Sequence, residues 1–381
     1  MKVLSIGPAF PLRGGIANFN LALSREFARS GHITEIISFS FQYPRFLFPG
    51  KTQQEKGPAP SDIKIKSLIS SVSPFSWSRT FRYARAFNPN LVVVHYWMPF
   101  MAIPLGRIIR RIKRSGQSRV IAVTHNIIPH EKFAGWKALT RYFLKSCDGF
   151  IAMSKTVSDD LITLRRDAQY AVIPHPVYDI FGERVSRQTA AECLRLPATG
   201  NYLLFFGLIR KYKGLELLLK AMPYITTQIK DIKLIIAGEF YSGKHDYFNL
   251  INDLQIIEYV HIVDRFIPAE EVKYYFSIAD LVVQPYISAT QSGITQIAYN
   301  FEVPMIVTNV GGLAELVPDG KVGYVVPVDY KQVARAVIDF FEFNRSGQFR
   351  DGIKEQKEKY SWENMVKGIQ ELYDHIGQKS K

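Results

Sequence analysis

The chain of 381 residues carries 48 Lys and Arg against 34 Asp and Glu, a formal net charge of +14, with 47 % hydrophobic and 22 % charged residues. That length exceeds one ordinary core and calls for two domains, while the balance excludes a disordered or fibrous chain. Two cysteines, Cys147 and Cys193, stand far apart with neither metal spacing nor a disulfide framework, which points to a reducing cytoplasm.

"MKVLSIGPAF" opens on a short apolar run broken by Gly7 and Pro8, with no long hydrophobic region and no small-residue cleavage site, so no signal peptide is expected. An amphipathic helix is predicted over 16–30, closed by Gly31. Short, continuously apolar strands follow in "TEIISFS", "LVVVHYW", "RVIAVTHN", "GFIAMS" and "YAVIPHPV". The most apolar stretch, 91–105, is interrupted by His95, Pro99 and Pro104 and falls short of the ~20 residues a membrane span needs. No transmembrane helix is predicted. Residues 178–200 lack strand pattern and read as a linker. The scheme then restarts with strands in "NYLLFFG", "IKLIIAGE", "VHIVDRF", "DLVVQPY", "PMIVTN" and "GYVVPV", and helices over 214–225, 270–279 and 330–343. Repeated strand-helix order implies a doubly wound parallel sheet in each half.

The positive charge is confined to one half. Residues 1–180 hold 25 Lys and Arg against 10 Asp and Glu, a surplus of 15, whereas residues 181–381 hold 23 against 24. An anionic partner of the first half is the sharper reading and a solvated basic surface the plainer one. "FQYPRFLFPGK", "FSWSRTFRYARAF" and "PLGRIIRRIKRSGQSR" interleave basic with aromatic and apolar residues, a composition suited to an anionic bilayer surface.

Four motifs carry chemistry. Gly14 and Gly15, between the first strand and first helix, allow backbone N–H groups to approach a phosphate, or form a plain tight turn; the dinucleotide spacing G-x-G-x-x-G is absent. His125 ends a strand in "VTHN", where a histidine faces a crevice or serves structure, as do His95 and His175. In "FFGLIRKYKG", Arg210 offers a bidentate fork and Lys213 a point charge suited to a diphosphate. "NVGGLAEL" pairs Gly311 and Gly312 with Glu315, which either caps a helix or touches a ligand hydroxyl.

Taken together, the "GG" loop, the "TxH" pattern, the serine of "AMSK", "VIPHPV" where "IPNGV" is usual, "FxG...KG", "AD...PY", "VGG..E" and a late Trp resemble family four of the retaining glycosyltransferases over nearly the whole chain. The resemblance implies the GT-B fold, two Rossmann-like doubly wound domains facing a central cleft: an acceptor-binding domain over 1–180, a nucleotide-sugar-binding domain over 181–360, and a C-terminal helix over 361–381 packing back on the first. It implies catalytic roles for His125, Arg210 and Lys213, with Gly15 near the phosphate and Arg265 and Phe266 facing the nucleobase. It also implies a donor-binding turn and helix at Gln291, Ser292, Gly293, Ile294 and Gln296. The arginine stands more often just after the glycine, where this chain has Leu208. The family's Glu-x7-Glu pair is missing: its positions fall near Ser288 or Ala289 and near Gln296 or Ile297.

The expected protein is a metal-independent retaining enzyme that uses a UDP- or GDP-sugar as co-substrate, with no cofactor. Its acceptor is expected to be a lipid-linked saccharide or glycolipid of cell-surface polysaccharide synthesis, with the protein peripheral on the inner membrane face and no nucleic-acid partner. The alternative is a non-catalytic nucleotide-sugar-binding or scaffolding subunit of a polysaccharide assembly.

Overall fold

The computed structural model describes residues 1–44, 53–54, 58–116, 118–129, 133–178, 180–241, 243–289 and 292–379. They form two compact units, Met1–His175 with Ser361–Lys381, and Pro176–Tyr360.

The first unit runs β1 (Lys2–Ile6), α1 (Gly15–Arg29), β2 (Ile33–Phe41), β3 (Lys64–Ser70), α2 (Pro74–Phe87), β4 (Leu91–Tyr96), α3 (Ala102–Ser115), β5 (Arg119–Thr124), α4 (Trp136–Leu144), β6 (Gly149–Ala152), α5 (Lys155–Leu164) and β7 (Tyr170–Val172). Its seven strands are all parallel, in the order β3-β2-β1-β4-β5-β6-β7. Every residue of the central strand β4 is buried, as an apolar run covered on both faces requires. Strand β3, "KIKSLIS", is the edge that the apolar-run criterion passes over, because Lys64, Lys66 and Ser67 keep it wet. Chain order reverses between β1 and β4, so the crevice at their carboxyl ends is where such a sheet holds ligands.

The second unit runs α6 (Arg187–Leu194), β8 (Asn201–Phe206), α7 (Leu215–Gln228), β9 (Ile232–Ala237), α8 (Lys244–Asp253), β10 (Val260–Val263), α9 (Ala269–Ile278), β11 (Leu281–Gln284), α10 (Gly293–Asn300), β12 (Met305–Thr308), α11 (Leu313–Leu316), β13 (Gly323–Val326), α12 (Tyr330–Glu342) and α13 (Ser346–Lys357). Its parallel sheet has the order β10-β9-β8-β11-β12-β13 and switches between β8 and β11. The expected linker over 178–200 is corrected: it contains α6, which is pinned into this unit. Arg187 pairs bidentately with Asp280 at 2.9 and 3.1 Å and also donates to the carbonyls of Ala198, Gly200 and Ile278.

After Tyr360 the chain returns to the first unit as α14 (Trp362–Lys379). A side chain on Gly149 of β6 would lie 2.5 Å from Ile376 Cδ1 and 3.2 Å from Leu372 Cδ2, so α14 lies flush against the sheet. The Arg119 guanidinium stacks 4.5 Å over the Tyr373 ring, and Trp362 meets Phe19 of α1 edge-on at 5.0 Å. All four tryptophans, Trp77, Trp97, Trp136 and Trp362, belong to this unit. Leu372→Ala therefore costs the first unit about 3 kcal/mol, lowering the denaturant midpoint read by tryptophan fluorescence while amide exchange in β8 stays unchanged.

Candidate functional site

In the second unit the loops leaving β8 and β11 are bonded to each other at the switch point. Ile287 N–H donates to Tyr212 O at 2.7 Å, and Gly214, at φ +68°, approaches so closely that a Cβ there would sit 1.8 Å from Pro285 O. Only glycine fits that approach. Between these loops the Lys213 side chain is 8 % exposed, with its ammonium 5.7 Å from the centre of the Tyr286 ring. Burial, and then the Arg210 charge, pull its pKa from 10.5 down to about 8. Arg210 lies 3.8 Å over the Tyr241 ring. Among the described residues neither cation is in an ion pair, so two positive charges stand together at the crevice. That is the electrostatic form of an anion site.

Helix α10 opens beside it, and Ile294 Cδ1 would lie 3.3 Å from a side chain on Gly207, whose other neighbour is Lys213 Nζ at 3.1 Å. Ser292, expected in the donor-binding turn, is the N-cap of α10: its hydroxyl donates to Gln284 Oε1 at 2.7 Å and accepts from Ile294 N–H at 3.2 Å. Ile294 N–H is thereby occupied, which leaves Gly293 as the backbone donor an anion would meet. Gln284, overlooked in the strand "LVVQ", orients this turn and also bonds Thr295 through Nε2 at 3.1 Å. Gln296 is fully buried, and neither amide atom has a hydrogen-bond partner among the described residues. Gln291 lies outside the described residues.

Arg265 does not present an unengaged cation to a nucleobase, because Glu271 in the first turn of α9 grips it bidentately. Phe266 beside it is half-buried. Glu315 is exposed on the four-residue helix α11.

In the first unit the structure brings together three histidines that stand at separate strand ends along the chain. Phe19 meets the His95, His125 and His175 rings edge-on at 5.7, 5.0 and 4.9 Å. A hydrogen-bond chain fixes the tautomers of two of them. Asn20 Nδ2 donates to Pro8 O at 2.9 Å, so its Oδ1 accepts the Ser5 hydroxyl at 2.5 Å. Ser5 Oγ must then accept from His95 Nε2–H at 3.3 Å, and His95 Nδ1 accepts from His125 Nε2–H at 3.0 Å. His125 is left with Nδ1 as its acceptor nitrogen. Burial pushes His95 down to about 3, and burial with the neighbouring His95 and His175 holds His125 well below 6.5. Both rings are neutral, so this cluster is polar without carrying charge. Gly15, the first residue of α1, follows Gly14 at φ 120° on a helix whose first turn carries no acid.

Two outcomes follow from these charges. Lys213 binds its proton more weakly folded than unfolded, so the second unit is destabilised at neutral pH and gains stability as pH rises from about 8 toward 10.5. Lys213→Met should stabilise the unliganded unit at pH 7 by roughly 2–3 kcal/mol, seen as slower amide exchange in β8; a loss would mean that the ammonium has an internal partner. For His95 and His125 the unfolded chain takes up protons below pH 6.5 and the folded one does not, so stability is full above pH 6.5 and falls toward pH 3. Tryptophan-monitored unfolding near pH 5 should show a slope approaching about 2.7 kcal/mol per pH unit, which His95→Gln halves.

The family model described as "Glycosyl transferases group 1" matches residues 186–373, and that described as "Glycosyltransferase Family 4" matches residues 13–179. D-inositol 3-phosphate glycosyltransferase 1 of Catenulispora acidiphila is 26 % identical over 312 residues, covering 74 % of this chain and 72 % of that protein. Spore coat protein SA of Bacillus subtilis is 23 % identical over 216 residues, 52 % of this chain and 55 % of that one. The chain spans about half the length of several of these relatives. Sucrose-phosphate synthase from Thermosynechococcus elongatus superposes with a TM-score of 0.77 at 17 % identity over 100 % of both chains. HepE from Anabaena, solved with UDP-glucose, gives 0.72 at 14 % identity over 99 % of this chain and 100 % of that one. Between them the two family models account for both α/β units in order, and the chain belongs to the group 1, family-four-like glycosyltransferases of GT-B fold.

Proposed function

We propose that the protein is a retaining glycosyltransferase moving a sugar from a UDP- or GDP-sugar to a lipid-linked saccharide or glycolipid of cell-surface polysaccharide synthesis, working at the inner membrane face without a metal ion. The observation that carries the donor half of this reading is the buried Lys213 ammonium, set beside Arg210, with neither cation in an ion pair among the described residues. A diphosphate would supply a counter-charge and raise the Lys213 pKa back toward its ordinary value. HepE and a starch synthase of the same fold have been solved with UDP and ADP respectively. The lipid-linked acceptor rests on the basic first unit.

In the proposed step the acceptor hydroxyl attacks the sugar's anomeric carbon on the face from which the diphosphate departs. The bond from that carbon to the diphosphate oxygen breaks, the new glycosidic bond forms, and the acceptor proton passes to the departing oxygen. Arg210, Lys213 and Gly293 N–H meet the charge that grows on the leaving group, an electrostatic contribution worth about 10²–10³ in rate for each such donor. By resemblance to the family, His125 is the histidine assigned to the donor sugar, and His95 fixes its ring orientation within the first unit. The unpaired Gln296 amide suits ribose hydroxyls, taking the place of the family's second carboxylate.

Thermal-shift screening of UDP- and GDP-sugars identifies the donor through its stabilisation of the folded state. With that donor and membrane extract as acceptor, the wild type should release nucleoside diphosphate in EDTA and form a product that keeps the donor's anomeric configuration, and Arg210→Ala and Lys213→Ala should each lose at least about a hundredfold in kcat. Donor binding with no turnover in the presence of extract would establish the non-catalytic alternative.

A further inference from the structure

The positive surplus of the first unit is concentrated on three neighbouring helices. α2, α3 and α4 hold ten Lys and Arg and no Asp or Glu. Lys113 pairs with Asp148, and among the described residues no other cation of these helices is in an ion pair. α3 separates its faces sharply: Leu105, Ile108, Ile109 and Ile112 go to the core, while Arg107, Arg111 and Arg114 are exposed.

The exposed arginines do not face open solvent singly. They line two adjoining hollows between α2 and α3, of about 440 and 350 Å³. Neutral groups hold them in place. Arg111 donates to Ser78 Oγ at 2.8 Å, Arg107 lies 5.6 Å over the Trp77 ring, and Arg110 lies 4.1 Å over the Tyr142 ring while donating to Ser146 Oγ at 2.8 Å. Hydroxyls and rings orient a guanidinium without cancelling its charge, so the groove keeps fork-shaped donors ordered for a tetrahedral oxyanion.

The two helices run the same way, since Trp77 faces Arg107 and Arg82 shares a hollow with Arg114. At their common N-terminal end the surface turns apolar: Phe75 is 89 %, Val72 56 % and Ile103 41 % exposed. An occupant with a phosphate for the groove and hydrocarbon for that end matches both features. A soluble phosphate ester or a nucleic acid would leave Phe75, Val72 and Ile103 in water.

We propose that the α2–α3 groove is a headgroup site that takes the phosphate of an anionic membrane lipid while Phe75, Val72 and Ile103 enter the hydrocarbon boundary. This deepens the membrane-linked reading above by assigning it to a built site rather than to diffuse charge. Flotation with phosphatidylcholine vesicles, with and without phosphatidylglycerol, tests it. The wild type floats only with phosphatidylglycerol. Arg107→Gln/Arg111→Gln/Arg114→Gln lowers the partition coefficient about a hundredfold, whereas Arg29→Gln/Lys66→Gln/Arg166→Gln, which removes equal charge elsewhere on the unit, lowers it less than tenfold. Phe75→Ser weakens flotation with every arginine in place. Equal losses in the two triple variants, flotation on neutral vesicles alone, or stabilisation by glycerol phosphate without vesicle binding would each overturn the site. Hydrolysis of the donor in vesicle-free buffer separates this from the catalytic reading: the groove triple variant keeps the wild-type rate, and a wild type that floats but never turns over would sink the transferase and leave the groove standing.

Discussion

The second unit is organised around a buried ammonium that, among the described residues, is in no ion pair. Lys213 is 8 % exposed, and its neighbours are a tyrosine ring, a glycine and a second cation. Desolvation opposes this arrangement, so the surrounding backbone has to over-determine it. The Ile287–Tyr212 bond, the approach of Gly214 to Pro285 and the Gly207 N–H bond to Ala237 O supply that constraint from three directions. The parallel order then explains why the strain sits at this place: β8 and β11 are the neighbours whose helices leave to opposite sides, opening space above their carboxyl ends.

The first unit handles polarity in the opposite way. Its crevice is lined by Ser5, Asn20, His95 and His125, all buried and linked donor to acceptor, so the site is polar without being charged. Charge is moved outward onto α2, α3 and α4, where guanidinium groups stack on Trp77 and Tyr142 and bond to serines. A net surplus of one sign therefore coexists with a core that titrates only outside the ordinary pH range.

Strand-scale order was legible because buried parallel strands are uninterrupted apolar runs; β1, β4, β5, β8, β9 and β12 all fall on the runs read from sequence. Strand β3 and helix α6 were not, since both draw their stability from partners distant in sequence: the Lys64–Glu35 pair and the Arg187–Asp280 clamp. The same distinction governs the site. Arg210 and Lys213 announce themselves by charge in a strand-loop-helix context. The tautomer of His125 depends on residues 30 and more positions away, and the commitment of Arg265 to Glu271 and of Ser292 to capping depends on local hydrogen bonds that a motif does not display.

Residues 288–297 hold no Asp or Glu, and that fits this electrostatic frame. The first turn of α10 packs against the same glycine as the Lys213 ammonium, so an acid on that turn would lie within Coulombic reach in a poorly screened setting. It would raise the lysine's pKa and hold the cation charged with the crevice empty. Amides and hydroxyls at these positions recognise hydroxyl groups equally well and contribute no charge. Lys213 is then left at about 8, a cation at neutral pH that desolvation opposes. On the proposed reading, an anion entering the crevice would offset this desolvation cost and stabilise the folded unit.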